Sequence, residues 1–502
     1  MSADPSATKP DSPALLEALA RLEPIVEDWS AFLKQLEEPL PKSIWLHPHR
    51  ADAVTAQLFL PAGQDTLTPL AAVEGAFQIH PQLATGRQVP FHLGHYHVQD
   101  LSSMLPVLAL APQPHEQVLD MCAAPGGKTA QIAFAMELSG TVVANDLDLR
   151  RIRAIRAHVN RLGLPNVVAT AGDATHLPFP DQTFDRVLAD VPCSCLGTAQ
   201  RTAAVERQQG NDQKQNRWQQ RLQDTQYAIL REAFRLCRPG GRIVYSTCTY
   251  TPEENEAMID RLLQEVGDDQ LSVIPHPYAV LKTTPGITNW QGASYHPDLA
   301  QTTRIWPHLT RSGGFYIAVL QKAGSESKSP QTPLGEPHPV GTSHVDWQAG
   351  LDERFGLRSA FWQHFRFHQQ SNKYIHLVSR DLILPAGAEI VAAGIRFMSI
   401  RGTHQKLTHP GSMFAGPYAT RNTISLDRAQ TIAFLRREII PLHPDQLHAT
   451  TGPGFVLVSN DDPDNQQHPH AKVWLSSGYL RTAPDPTLES LFPKADIDIP
   501  TR

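Results

Sequence analysis

The sequence has only five cysteines in 502 residues and no Cys-x-x-Cys pair, which argues against a disulfide framework and against a structural zinc site. It has no apolar run long enough to cross a bilayer. The opening Met1-Ser2-Ala3-Asp4-Pro5 carries neither a basic leader nor an apolar stretch, so no secretory signal is read and a cytoplasmic location is expected. Basic charge is not in excess either. With a formal net charge of −6, any nucleic-acid surface has to be a local patch on an acidic protein. No solenoid-type repeat is present.

What remains is an ordinary globular composition in a chain long enough for two to four domains. Residues 1–13 are polar and rich in Pro and Ser, the composition of a disordered tail. Leu15, Leu19, Leu22, Trp29, Phe32, Leu33 and Leu36 recur at helical spacing around Pro24, which predicts two helices or one kinked helix. With a strand at Ser43–His47 and a helix at Ala51–Leu60, residues 14–91 read as a small α+β module. Residues 92–322 alternate strands and helices, the pattern of a parallel, Rossmann-like α/β sheet. The strands expected are Gln117–Met121, Thr141–Asp146, Asn166–Thr170, Phe184–Asp190 and Gly240–Ser246, with later ones near Val273 and at Gly314–Val319. Residues 323–344 have linker composition. Residues 345–502 form a further α+β region of one or two modules, with strands at Gly454–Val458 and Ala471–Leu475 around an Asn460–Asn465 loop.

Ligands of such sheets sit at the carboxyl ends of the strands, and there the polar residues collect. The turn Asp120-Met-Cys-Ala-Ala-Pro-Gly-Gly-Lys-Thr fails as a phosphate-binding P-loop, because Cys122 stands where the first glycine is needed. It also lacks the first two glycines of a dinucleotide fingerprint. A nucleoside without pyrophosphate, such as S-adenosylmethionine, fits better: its carboxylate would meet the helix N-terminus, assisted by Lys128. Asp146 is placed for the ribose hydroxyls and Asp173 for an adenine amino group. Each aspartate alone is equally a cap or turn residue, but their recurrence at successive strand ends favours the ligand.

These residues resemble the Nop/Sun-type RNA (cytosine-5) methyltransferases, especially the bacterial ribosomal RNA enzymes RsmB and RsmF. The resemblance covers about 92–320 and is carried by Asp120–Thr129, Asn145-Asp146, Asp173, Asp190-Val-Pro-Cys-Ser, Tyr245-Ser-Thr-Cys-Thr-Tyr-Thr-Pro-Glu-Glu-Asn-Glu and His97–Ser103. It implies S-adenosylmethionine held by Cys122, Ala123, Ala124, Pro125, Gly126, Gly127, Lys128, Asp146, Asp173 and Asp190. It also implies that Cys248 attacks C6 of cytosine, that Cys193 helps release the product, and that Asp190 meets the base near N3. The partner implied is RNA, ribosomal rather than transfer RNA. A transfer RNA methyltransferase and a non-catalytic ribosome assembly factor are the competing readings. By position, the first module is similar to an RNA-recognition-like domain and the C-terminal region to a PUA-like one.

Cys122 and Cys237 are expected to be small buried hydrophobes. Cys195 stands where the family usually has glycine, and Val191 replaces a common alanine. Cys193 and Cys195 could share a metal, but no neighbouring His or further Cys completes a tetrahedral set, so no metal is expected. Arg150, Arg153 and Arg161 fall near one helical face, flanked by Arg156 and His158, either a solvated face or an RNA phosphate track. A second basic stretch, Arg201, Arg207, Lys214, Arg217 and Arg221, lies between the two cysteine motifs.

Overall fold

The structure, a computed structural model, describes residues 13–53, 56, 60, 67–198, 212–276, 278, 280–324, 347–400, 406–461, 472–495 and 497–499. The expected tail at 1–12, most of the expected linker, the loop at 462–465, and Arg201 and Arg207 lie outside the described residues.

Val/Ile/Leu-rich runs buried on both faces build the parallel core of a ten-stranded sheet. The strands are β5 (Gln117–Asp120), β6 (Thr141–Asp146), β7 (Val167–Ala171), β8 (Phe184–Asp190) and β9 (Cys237–Thr247), in the order β9-β8-β5-β6-β7. Beyond β9 lie Phe315–Lys322, Thr303–Ile305 and Thr284–Pro285, all antiparallel, with Leu271–Val273 also pairing Phe315–Lys322. Thr141–Asp146 and Phe184–Asp190 have the bounds expected, and the other expected strands of this sheet differ by one to three residues at an end. β9 begins three residues early, at Cys237, which pairs with Phe184 across a register shift.

At the other edge β7 receives Glu389–Ala393 from the C-terminal region, with Glu389 opposite Ala171 and Ala393 opposite Val168. This strand had no signal strong enough to be read from sequence. It covers an edge that would otherwise present unpaired backbone groups, and Val168, Val378, Leu382, Leu384 and Ala393 pack into one apolar cluster across the junction. The rest of the C-terminal region forms two sheets. One contains Phe365–Ser371, Tyr374–Ser379, Ile395–Ser399 and Lys406–Leu407; the other contains Thr423–Leu426, Gly454–Asp461, Lys472–Arg481, Thr487–Ser490 and Ile439–Pro441. Asn460 and Asp461, expected in a loop, extend the Gly454–Asp461 strand by pairing with Val473 and Lys472.

The N-terminal sheet contains β1 (Ser43–Leu46), β2 (Thr68–Pro69), β3 (Ala76–Gln78) and β4 (Tyr96–Val98), in the order β2-β3-β1-β4. Its last strand lies past residue 91, so the segment read as leading into the catalytic sheet also completes the first one. Asp100 then caps the helix Leu101–Leu110 through Ser102 N at 3.0 Å and accepts from Gly313 N at 3.0 Å. Proline 24 divides the first helices, Pro13–Ala20 and Trp29–Glu37, through a one-turn 3-10 segment at Glu23–Ile25. Their apolar faces pack on Leu196, Tyr250, Trp290 and Trp306, with Phe32 edge-on to both Tyr250 and Trp306. Among the described residues, no helix is long and apolar enough to cross a membrane.

Glu256 opens the helix that follows the second cysteine motif, and it is fully buried against Arg304. Arg304 Nε donates to Glu256 Oε1 at 2.7 Å, and Nη1 donates to Tyr250 O at 2.8 Å. Removing one partner leaves an uncompensated buried charge. Glu256→Ala is therefore expected to lower the unfolding free energy by about 3–5 kcal/mol, measured by urea denaturation.

Candidate active site

Parallel pairing brings the two cysteine motifs together. β8 and β9 run side by side with Asp190 opposite Ser246, so the chain leaves both strands at the same level of the sheet. Three residues past Asp190 is Cys193; two past Ser246 is Cys248. Their sulfurs lie 3.2 Å apart.

A buried carboxylate fixes the loops that carry them. Glu254 Oε2 accepts from Ser194 N at 2.9 Å and from Gln226 Nε2 at 2.8 Å; Oε1 accepts from Ser194 Oγ at 2.5 Å and Thr251 Oγ1 at 2.7 Å. Ser194 Oγ also lies 2.7 Å from Thr249 Oγ1, and Gln226 Nε2 donates to Pro192 O at 2.9 Å. Gly197 N donates to Cys248 O at 2.9 Å. A Cβ on Gly314 would stand 1.9 Å from the Tyr250 ring, so only glycine lets that ring close behind Cys248. In the sequence Glu254 stands out only within its motif, where the Thr251-x-x-Glu254 spacing resembles a helix-capping box; Thr251 donates to the carboxylate rather than capping the helix, and the partners Ser194 and Gln226 carry no sequence signal.

The third thiol joins them. Cys195 Sγ is 3.3 Å from Cys193 O, and the Cys193, Cys195 and Cys248 sulfurs all lie within 4.8 Å of one another. The expectation that no further cysteine neighbours the Cys193/Cys195 pair is therefore corrected: Cys248 is remote in sequence and is delivered by strand register. Hydrogen bonds from Cys193 and then Cys248 pull the Cys195 thiol down. Those to Cys195 and Cys248, together with burial, push Cys193 up. At Cys248 the bond from Cys193 pulls down, but Cys195, burial and the Asp190 charge outweigh it and leave the thiol raised. The cluster thus holds one negative charge readily and resists a second.

Asp190 lies below the thiols with both oxygens engaged, Oδ1 by Ser246 Oγ and Oδ2 by Lys128 Nζ, each at 2.8 Å. The Lys128 ammonium bridges Asp190 and Ser103 Oγ, 2.8 Å away. The turn Cys122–Lys128 runs into the helix Gly127–Ala135. Gly126 has φ +106°, and a Cβ on Gly127 would lie 2.9 Å from His97 Nε2, so both glycines are required by the protein's own packing. Asp146 is buried, accepting from Ala124 N and Asp148 N at 3.1 Å each. Asp173 is exposed and accepts from Thr175 N and Oγ1 at 2.9 and 2.8 Å, which is a turn-forming role. Burial, followed by the Asp120, Asp190 and Asp146 charges, raises the Cys122 thiol. Burial likewise raises Cys237 to about 12, and it is the inert core group expected, whereas Cys122, expected to be buried, is partly exposed.

Asp120, at the end of β5, was not singled out. It accepts from Thr129 Oγ1 at 2.7 Å through Oδ2, while its buried Oδ1 has no hydrogen-bond partner among the described residues. Burial raises its pKa to about 7.

The basic helix, Leu149–Leu162, is divided in function. Arg161 turns inward, donating to Phe91 O at 3.0 Å and Tyr96 O at 2.8 Å, and burial lowers its pKa to about 9. It is thereby removed from any phosphate track, its donors taken by the carbonyls of Phe91 in the helix Val89–His92 and of Tyr96 at the start of β4. Arg151 donates to Ala124 O at 2.8 Å, and Arg150 pairs with Asp148. Arg153 stays exposed.

A family model described as 16S rRNA methyltransferase RsmB/F matches residues 107–321. The chain is 35% identical over 325 residues to the 28S rRNA (cytosine-C(5))-methyltransferase of Mus musculus, covering 63% of this chain and 39% of that protein. It is 33% identical over 312 residues to the tRNA (cytosine(49)-C(5))-methyltransferase of Pyrococcus abyssi, covering 61% of this chain and 95% of that protein. With the ribosomal RNA small subunit methyltransferase F of Erwinia tasmaniensis it shares 30% identity over 366 residues, 70% of this chain and 73% of that protein. The chain thus spans about two fifths of the length of the mouse relative.

Two expectations follow from the site's geometry. Glu254→Ala strands several buried donors at once, so it should cost about 3 kcal/mol or more of stability and speed alkylation of Cys193 and Cys248, read by mass spectrometry after timed thiol labelling. Asp120 stays neutral in the folded chain up to about pH 7, whereas its unperturbed value is 3.8. The folded state therefore holds a proton that the unfolded chain has lost, and stability falls as pH rises from about 4 to about 7 and then levels. Asp120→Asn should flatten that fall in unfolding free energies measured across the window.

Proposed function

The chain belongs to the RsmB/F family of RNA cytosine-C5 methyltransferases, and from that premise we propose that it forms 5-methylcytosine in ribosomal RNA, with S-adenosylmethionine as methyl donor. The observation that carries this reading is the 3.2 Å contact between the sulfurs of Cys193 and Cys248 at the ends of paired parallel strands. A pair of thiols at one point suits a reaction that must both form and break a carbon–sulfur bond.

The donor suits the residues around the turn. Asp146 and Asp190 lie closely enough about Cys122 for their charges to act on it, a field that favours a cationic ligand, and Asp120 Oδ1, without a partner among the described residues, would accept from an ammonium group as the Asp120 proton is lost. Residues 122–128 would hold its amino-acid end, Asp146 the ribose hydroxyls and Asp173 the adenine amino group. When bound, it supplies an electrophilic methyl group.

Cys248 adds as thiolate to C6 of the cytosine, which makes C5 nucleophilic enough to take the methyl group. Asp190, held by Ser246 and Lys128, faces the base edge near N3. Once Cys248 is bonded to C6 its charge no longer opposes ionisation of Cys193, which loses its own proton to solvent; the Cys193 thiolate then takes the C5 proton, and β-elimination breaks the Cys248–C6 bond, returning Cys248 as thiolate and releasing the base. Glu254 keeps both loops in register while the base enters.

Ribosomal RNA is favoured by the family model and by relatives whose printed substrate is ribosomal RNA, while the Pyrococcus abyssi relative makes transfer RNA the competing substrate. The N-terminal sheet is assigned an RNA-recognition-like role and the C-terminal region a PUA-like one, with action in the cytoplasm. Exposed Arg153 and the stretch from Arg217 to Arg221 supply basic side chains toward an RNA backbone.

Cys248→Ala should abolish methyl transfer, whereas Cys193→Ala should accumulate a covalent protein–RNA adduct visible on denaturing gels. An adduct that requires Cys193 instead of Cys248 reverses the two roles. Bisulfite mapping of RNA from cells with and without the gene identifies the substrate; loss of a site in transfer RNA alone overturns the ribosomal assignment.

A further inference from the structure

Cys195 occupies a backbone position made for glycine. Its φ is +60°, a left-handed conformation that costs a side-chain-bearing residue about 1–2 kcal/mol, and the resembling family usually carries glycine there. The cysteine gives the site a third sulfur, against the Cys193 carbonyl and within 4.8 Å of both other thiols. All three cysteines are partly exposed, so the cluster has an open side.

Zinc–thiolate bonds of about 2.3 Å place sulfurs about 3.8 Å apart around a tetrahedral ion and about 4.0 Å apart around a trigonal one. The cluster has one edge of 3.2 Å and none longer than 4.8 Å, so side-chain adjustments below an ångström close it on a metal. The Asp190 charge acts on Cys248 from below, which favours a cation above it. Soft thiolate donors select ions of the zinc, cadmium and copper(I) class over magnesium or calcium.

We propose that Cys193, Cys195 and Cys248 form a three-thiolate site for a soft cation of the zinc–cadmium class, with its fourth position open to water. The cluster already holds one negative charge, so the other two thiols release their protons to solvent as a divalent ion binds, and the site keeps one negative charge. The site stands on sulfur geometry alone. Its consequence, that the ion withdraws Cys248 and Cys193 from covalent chemistry and inhibits methylation, rests on the proposed function.

The test titrates the reduced full-length chain with cadmium under anaerobic conditions, following cadmium–thiolate charge-transfer absorption in the ultraviolet. One ion per chain is expected. Cys195→Gly relieves the left-handed backbone and should fold, and Cys195→Ser keeps the side-chain size; both should bind at least about tenfold more weakly, since even outer-shell changes at a metal cost that much. Absence of the band in the unaltered chain, or equal affinity in both variants, overturns the site. Methyl transfer is then assayed with cadmium present. Inhibition of the unaltered chain with Cys195→Gly spared supports the consequence, whereas binding without inhibition keeps the site and overturns the role of Cys248.

Discussion

The four hydrogen bonds accepted by Glu254 fix the loops that leave the paired strands β8 and β9 against each other and against the long helix behind them. They come from the Ser194 backbone and hydroxyl after β8, from Gln226 on the long helix Asp212–Leu236 and from Thr251 after β9. Each donor is short of water, so the carboxylate satisfies groups whose isolation would cost more than any one bond contributes. The neighbouring Glu256–Arg304 pair extends the same arrangement outward to Tyr250 and the aromatic wall of Trp306 and Phe32. The thiols are therefore placed by a polar lattice below them and an apolar wall behind, with freedom left only toward the open side.

That placement also sets the electrostatics. Three sulfurs and a paired Asp190 leave room for one negative charge at a time. A nucleophile in such a site is ready only when its neighbours carry protons, so the third thiol at position 195 competes with the attacking one for the same charge. A glycine at 195 would remove that competition and the backbone strain together.

Much of this was legible in the sequence because it was local. Apolar runs ending in Asp120, Asp146 and Asp190 marked strands β5, β6 and β8 and the edge where ligands gather, and Pro24 marked the break between the first helices. The motifs around Cys193 and Cys248 pointed to the family that the relatives then established. What escaped depended on contacts between distant segments. The strand Glu389–Ala393 is short and its partner lies in another part of the chain. Arg161 has the spacing of an exposed residue but donates to the carbonyls of Phe91 and Tyr96, distant in sequence. Cys248 completes a cluster with Cys195 only because β8 and β9 share a register.

The Glu389–Ala393 strand has a consequence for how the protein is made. As the chain leaves the ribosome, β7 is in place long before its edge partner exists, and the whole of Cys237–Lys322 and the segment after it must be synthesised first. During that interval the catalytic sheet carries an open edge of Val167, Val168 and Ala169, the kind of surface that pairs with other chains. That edge closes only on arrival of residue 393, and a late pairing of this kind, distant in sequence, is intrinsically slow. The catalytic sheet is therefore completed by the C-terminal region even though every thiol of the site lies before residue 250.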